Sequence, residues 1–197
     1  MRLFVALIPP NEAVADLDSF LEVRRSAAAY RWVLRDQLHL TLAFLADVPE
    51  RRVDELVERL GRAAARRTAF EATITGGGAF PDAGRAKVIW AGVSTSAVGD
   101  VELPRLATGV RSAAVKSGIE VDGARFRPHV TVARLGAPRD VSNWVRLLDA
   151  YRGPIWSASA ISLVESHLGA GPRGRPRYEV LAELPLAVPG LRQPATP

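Results

Sequence analysis

The sequence predicts an α+β fold with antiparallel sheets, and three observations carry that prediction. Short apolar runs of strand length alternate with longer amphipathic stretches along the 197 residues. Two of the strand-like runs, HLTLAFL at 39–45 and HVTVARL at 129–135, resemble each other 90 residues apart, which implies two related lobes. The apolar share is 48% with 24% charged residues, enough to bury a real core and too apolar for a disordered chain.

Each element has its own signal. Residues 2–8 read as a buried strand ended by Pro9-Pro10. Asn11 is placed to cap a helix whose Val14, Leu17 and Leu21 share one face. Residues 38–45 form a second strand. Asp47 and Glu50 have the spacing of a capping box, with Pro49 in the first turn, ahead of the apolar face Val53, Leu56, Val57 and Leu60. Residues 70–74 and 87–93 read as strands around a glycine-rich turn at Gly76-Gly77-Gly78. Leu103, Leu106, Ala107 and Val110 mark the next helix. Residues 126–135 form a strand whose start, holding Pro128, belongs at an edge or bulge. Val141, Trp144, Val145 and Leu148 mark the last helix, and residues 155–164 and 178–184 the closing strands. From Pro185 the chain is proline-rich and is expected to be a loosely ordered tail, so that residues 1–184 form one bilobal domain and 185–197 its tail.

Composition removes several classes of function. Without cysteine there is no disulfide framework, thiolate nucleophile, iron–sulfur cluster or cysteine zinc site. The first apolar run is too short to cross a membrane or to serve as a signal-peptide core, so a soluble cytoplasmic protein is expected, with a monomer as the default state. The net charge of +5 suits a partner carrying phosphates, although only Lys87 and Lys116 are lysines and an arginine bias of this kind also arises from genome composition.

The repeat carries the chemistry. Side chains alternate along a strand, so His39 and Thr41 face one way while Leu40 and Leu42 face a core, and the same holds for His129 and Thr131 against Val130 and Val132. Two pseudo-symmetric lobes bring an imidazole and a hydroxyl each to one cleft. Imidazoles titrate near neutrality and serve as base and acid. Threonine hydroxyls donate to an anionic oxygen. Such a pair of pairs suits a phosphoryl group. A single His-x-Thr-x match is common and is more often a satisfied or exposed histidine; two of only three histidines in the same pattern are much harder to assign to chance.

With these residues the chain resembles the two-histidine phosphoesterase superfamily, and more closely the bacterial and archaeal RNA 2′,3′-cyclic phosphodiesterases, historically called 2′-5′ RNA ligases. The resemblance runs from Arg2 to about Leu184 through RLFVALIPP, WVLRDQLHLTLAFLADV, GGGAFPDAGRAKVIWAGV, FRPHVTVARL and ESHLGAGPRGRPRYEVL. Leu34-Arg35-Asp36 departs from the family's proline-rich lead-in, and the last residues are unmatched. The resemblance implies two pseudo-symmetric lobes whose antiparallel sheets face a central, water-filled cleft with helices outside, and no obligatory metal or cofactor. It also implies hydrolysis of a 2′,3′-cyclic phosphate at an RNA 3′ end to a 2′-phosphate, His39 as proton donor, His129 as proton acceptor, and Thr41 and Thr131 as phosphate contacts.

Arg127 lies two residues before His129, on the same face of an unbroken strand, and is taken as a substrate contact. Alternation turns Arg134 away from that face. Phe44 is read as core packing rather than a base-stacking ring, Trp32 and Trp90 share that ambiguity, and His167 is read as a surface histidine. Competing functions are a non-catalytic RNA-binding module and a phosphodiesterase or 2′-5′ ligase acting on small cyclic nucleotides or 2′-5′-linked oligonucleotides. A metal-dependent hydrolase is the least supported, since no clustered ligand set is visible.

Overall fold

The computed structural model describes residues 1–123 and 125–188. Its strands are β1 (Leu3–Leu7), β2 (Arg31–Trp32), β3 (Leu40–Leu45), β4 (Phe70–Phe80), β5 (Ala86–Thr95), β6 (His129–Arg139), β7 (Arg152–Ala158), β8 (Ala160–His167) and β9 (Arg177–Pro185). Its helices are α1 (Asn11–Arg25), α2 (Val53–Ala65), α3 (Ala97–Lys116) and α4 (Ser142–Asp149). The strands form one antiparallel sheet in the order β7-β4-β5-β6-β3-β1-β8-β9, with the short β2 also on β6.

The sheet is two half-sheets sewn together at one point. β3 and β6 meet through the single pair Leu40↔Val130, whereas every other junction along that order is longer. β7-β4-β5-β6 makes one lobe and β3-β1-β8-β9 the other. The sheet also has to curl. β7 and β8 stand six strands apart in the order, roughly 29 Å if flat, yet only Ser159 separates them in sequence. One residue spans about 3.5 Å, so the far strands of the two lobes swing toward each other. The joint is held where Leu186 N–H donates to the Ser159 carbonyl at 2.8 Å and Ala187 bridges Thr68.

Helices cover the outer face: α1 and α4 lie on β4 and its neighbours, and α2 and α3 pack together behind β9, β3 and β5. Their apolar faces and the sheet share one continuous core, with Leu17, Leu21, Leu56, Leu60 and Leu106 fully buried. β1 is buried along its whole length, as a central strand requires. Its Leu3, Val5 and Leu7 join the main core, and its Phe4 and Ala6 form a smaller cluster with Val164 on the inner face.

Several local expectations are corrected. The glycine run is not a turn: β4 passes straight through it and the chain reverses later, around Ala83–Arg85. The glycines are there for close approach. A Cβ on Gly78 would sit 2.0 Å from the Trp90 ring, and one on Gly77 would sit 2.5 Å from Leu148 Cβ. Gly76, at φ +75°, absorbs the bulge between Ile74 and Gly77. Asn11 begins α1 rather than capping it, and its side chain accepts from Arg35 Nη2 at 2.6 Å. The Asp47–Glu50 spacing makes no capping box; a short 3₁₀ turn at Glu50–Arg52 leads into α2 without a side-chain cap. The single strand expected over 155–164 is two strands in different lobes. Regular pairing of β6 begins at His129, after Pro128. Pro185 to Ala187, expected to open a loosely ordered tail, are paired onto the body; the rest of that expected tail, residues 189–197, lies outside the described residues.

Candidate active site

The two motif strands are the seam of the sheet. From Leu40↔Val130, antiparallel register sets His39 beside Thr131 and Thr41 beside His129. Each imidazole therefore has the other lobe's threonine as its neighbour, on the face opposite the buried Leu40 and Val130.

Both strands carry a bulge at the same place in the repeat. Against β1, Val5 pairs Ala43 and Ala6 pairs Thr41, so Leu42 is the extra residue. Against β5, Ile89 pairs Ala133 and Trp90 pairs Thr131, so Val132 is the extra residue. Two successive side chains thus enter the core, Leu42 with Ala43 and Val132 with Ala133. Alternation resumes one residue out of step. That corrects two readings: Phe44 is 47% exposed rather than core, and both Phe44 and Arg134 line the cleft. The alanine shared by the two copies fits the crowded second position of the bulge.

The imidazoles have matched settings. His39 stacks on Phe4 at 4.6 Å between ring centroids, with the Tyr178 ring edge-on at 5.6 Å. His129 meets Phe80 edge-on at 5.0 Å and Trp90 at 5.8 Å. Each Nδ1 lies against the carbonyl two residues earlier, Gln37 at 2.7 Å and Arg127 at 2.6 Å. A carbonyl only accepts, so Nδ1 carries the hydrogen and Nε2 is left for the cleft. Gln37 is itself anchored, its Nε2 donating to the Pro176 carbonyl at 2.6 Å. Burial is the largest influence on both rings and disfavours the imidazolium. It pushes His39 down to about 4, helped by the charges of Arg134 and His129 and opposed by the Gln37 hydrogen bond. His129 is lowered for the same reason, with Arg127 and Arg134 adding to it. In the ligand-free protein both settings favour the neutral imidazole.

The cleft has a volume of about 510 Å³ and is lined by His39, Thr41, His129 and Thr131 together. Arg31, Arg111, Arg125, Arg127, Arg134 and Arg175 also line it, against one carboxylate, Asp122. Arg127 holds its guanidinium 4.7 Å from the Trp90 ring centroid, a cation–π contact that fixes it behind His129. All five residues singled out from the sequence, with Phe44, Arg134 and Trp32, reach this one cavity. Trp90 is a buried support for His129, 5% exposed. His167 stands elsewhere, between Glu165 at 3.5 Å and Glu179 at 3.3 Å on the β8–β9 edge. Sequence reasoning assigned nothing to Phe4, Phe80, Tyr178 or Arg175. All four sit inside segments that carried the resemblance, Phe4 in RLFVALIPP, Phe80 in GGGAFPDAGRAKVIWAGV, and Arg175 and Tyr178 in ESHLGAGPRGRPRYEVL, and that was the available signal. Among the described residues, no group of three or more His, Cys, Asp or Glu is placed to hold a metal ion, and no helix is long and apolar enough to cross a membrane.

Known proteins give the same picture. The family described as LigT like Phosphoesterase matches residues 7–90 and again residues 97–173, one motif histidine in each match. The chain belongs to the LigT-like phosphoesterase family. The resemblance found in the repeat is borne out, and with it the two-lobed fold and the assignment to phosphodiester hydrolases. Relatives named RNA 2′,3′-cyclic phosphodiesterase occur in Thermus thermophilus, 32% identical over 94% of this chain and 90% of that one, and in Escherichia coli, 32% identical over 91% and 93%. A Geobacillus stearothermophilus relative of the same name is 30% identical over 93% of this chain, which spans 56% of its length. Among solved structures, a Thermus thermophilus protein superposes with a TM-score of 0.74 at 30% identity, covering 94% of this chain and 98% of that one. Escherichia coli LigT complexed with 3′-AMP gives 0.75 at 28% identity, with 94% and 97% covered.

Proposed function

We propose that this LigT-like phosphoesterase hydrolyses the 2′,3′-cyclic phosphate at an RNA 3′ end to a 2′-phosphate, by acid–base catalysis between His39 and His129. The observation that carries the reading is the single-pair seam, Leu40↔Val130, which delivers one imidazole and one hydroxyl from each lobe to the same basic cleft. The names of the relatives and the 3′-AMP complex of Escherichia coli LigT support a nucleotide 3′ end as the reacting group.

The steps follow from the groups present. Water attacks phosphorus, and His129 Nε2 takes its proton. The bond from phosphorus to the 3′ oxygen breaks, and Nε2–H of protonated His39 supplies that oxygen with a proton. A phosphate diester anion in the cleft offsets the burial and the Arg134 charge that hold His39 neutral, so substrate itself raises the acid's pKa. Thr41 and Thr131 donate to the non-bridging oxygens, and Arg127, pinned on Trp90, balances their charge. The orientation of each ring is pre-set by its Nδ1 hydrogen bond, which removes a reorganisation step. No step calls on a metal, and the reading includes a monomeric, cytoplasmic enzyme.

The test is an RNA ending in a 2′,3′-cyclic phosphate, incubated with the protein in EDTA, with the product isomer identified. The proposal requires a 2′-phosphate from the wild type and loss of turnover in His39→Ala and His129→Ala with the fold intact. Turnover that needs added metal, a 3′-phosphate product, or tight binding without turnover would each replace it, the last with a binding module.

A further inference from the structure

A second concavity, about 700 Å³, lies on the outer helical layer along the seam of α2 and α3. Its floor is made of small residues. A Cβ on Gly109 would stand 3.7 Å from Ala63 Cβ, and Ala113 continues the same line. Small residues let the two helices approach closely, so long side chains rise as walls on either side. On α2 the wall is Arg59 and Arg62, continued by Arg66 at its C-cap, spaced to fall on one helical face. On α3 it is Arg105 and Lys116, with Thr108, whose hydroxyl donates to the Pro104 carbonyl at 2.9 Å, and the exposed Ser112 between them. Arg67 closes one end.

Among the described residues, no carboxylate and no aromatic ring lines this groove. Arg59, Arg62 and Arg67 already have acidic partners on the rim, Glu55, Glu58 and Glu102. Arg66, Arg105 and Lys116 are exposed and in no ion pair among the described residues. Positive charge with the Ser112 hydroxyl and no stacking surface fits a phosphate backbone and not a base or a nucleoside. From Arg105 to Lys116 the wall runs along roughly 16 Å of helix, longer than a single phosphate needs.

The groove and the cleft both draw on α3. Arg111 of α3 lines the catalytic cavity while Thr108 and Ser112, within one turn of it, line the groove. A strand leaving the cleft past Arg111 would meet α3 within one turn of these walls. We propose that the α2–α3 groove is a second, sequence-independent RNA site that holds the sugar–phosphate backbone of the substrate beyond its reacting end. This rests on the cleft being an RNA 3′-end site, and the experiment separates the two.

The variant is Arg66→Glu with Arg105→Glu and Lys116→Glu, all exposed and outside the catalytic cleft. Its kcat/KM is compared with wild type on a 2′,3′-cyclic mononucleotide and on a longer RNA ending in the same group. Affinity for an RNA with an unreactive 2′-phosphate end is followed by fluorescence anisotropy at about 50 and 200 mM KCl. Loss of three phosphate contacts flattens the log–log salt slope by about 2, so wild type loses about 20-fold more affinity than the variant across that range. Mononucleotide kinetics stay unchanged, and kcat/KM on the longer RNA falls at low salt. Unchanged RNA affinity and slope overturn the proposal, and so does an equal loss on the mononucleotide. If the wild type hydrolyses neither cyclic phosphate, the reading of the cleft fails, while the anisotropy slope still decides the groove. Binding of phosphatidylserine vesicles that the variant abolishes, without an effect on RNA, makes the groove a membrane site and also overturns it.

Discussion

Acidifying the protein tests the setting of His39 without reference to any substrate. The ring is stacked on Phe4 and hydrogen-bonded to the Gln37 carbonyl, and burial pushes its pKa from 6.5 to about 4. The unfolded chain binds the proton near 6.5 and the folded chain only near 4. The stability held in the neutral ring is therefore complete above 6.5 and is lost as pH falls through this window. The full difference corresponds to about 3 kcal/mol, an upper bound because one edge of the ring faces the cleft. Urea unfolding followed by tryptophan fluorescence at a series of pH values, for wild type and His39→Gln, isolates the contribution. The wild type minus variant difference should fall by 2–3 kcal/mol, roughly, between pH 7.5 and 4. Histidine NMR should show one ring that stays neutral well below pH 6. A difference that is flat with pH, or a His39 titrating near 6.5, refutes the claim that the ring is desolvated.

The other predictions concern the site and its supports. His39→Ala and His129→Ala should each lower kcat on a cyclic-phosphate RNA by about 10²–10⁴-fold, measured beside circular dichroism to confirm folding. The pH profile of kcat/KM should be bell-shaped and centred below 6.5, since both rings are lowered in the free protein; in kcat the limb set by His39 should move up, because bound phosphate favours the imidazolium, and limbs both above 6.5 in kcat/KM would count against the assignment. Gly78→Ala should destabilise the protein by about 1–3 kcal/mol in urea, because its Cβ would enter the Trp90 ring. Phe44→Ala should raise KM for RNA about tenfold, in line with loss of one base-stacking ring, and leave thermal stability nearly unchanged because the side chain is half exposed.

What could be read ahead of the structure was whatever has a period or a repeat. Val14, Leu17 and Leu21, or Leu56 and Leu60, announce their helices because each set shares one buried face. The paired His-x-Thr-x strands announce the cleft because four chemically suited residues recur in register. What stayed hidden was phase. The bulges at Leu42 and Val132 shift alternation by one residue, and nothing local distinguishes Leu-Ala or Val-Ala in a bulge from the same pair in a regular strand. Phe44 and Arg134 were therefore turned the wrong way. The glycine run misled for a related reason. Turn propensity is a local property, whereas Gly77 and Gly78 are needed by Leu148 and Trp90, which are distant in sequence. The break at Ser159, which sends two neighbouring strands to different lobes, is set by the curl of the whole sheet and has no signature within residues 155–164.

The division of labour between the two imidazoles is open to a direct chemical test. A cyclic substrate with sulfur in place of the 3′ oxygen has a leaving group that departs without a proton. On it, His39→Ala should recover most of the activity it loses on the oxygen substrate, while His129→Ala should remain as impaired as before. Recovery in His129→Ala, or in neither variant, would contradict the assignment of His39 as the acid that serves the departing oxygen.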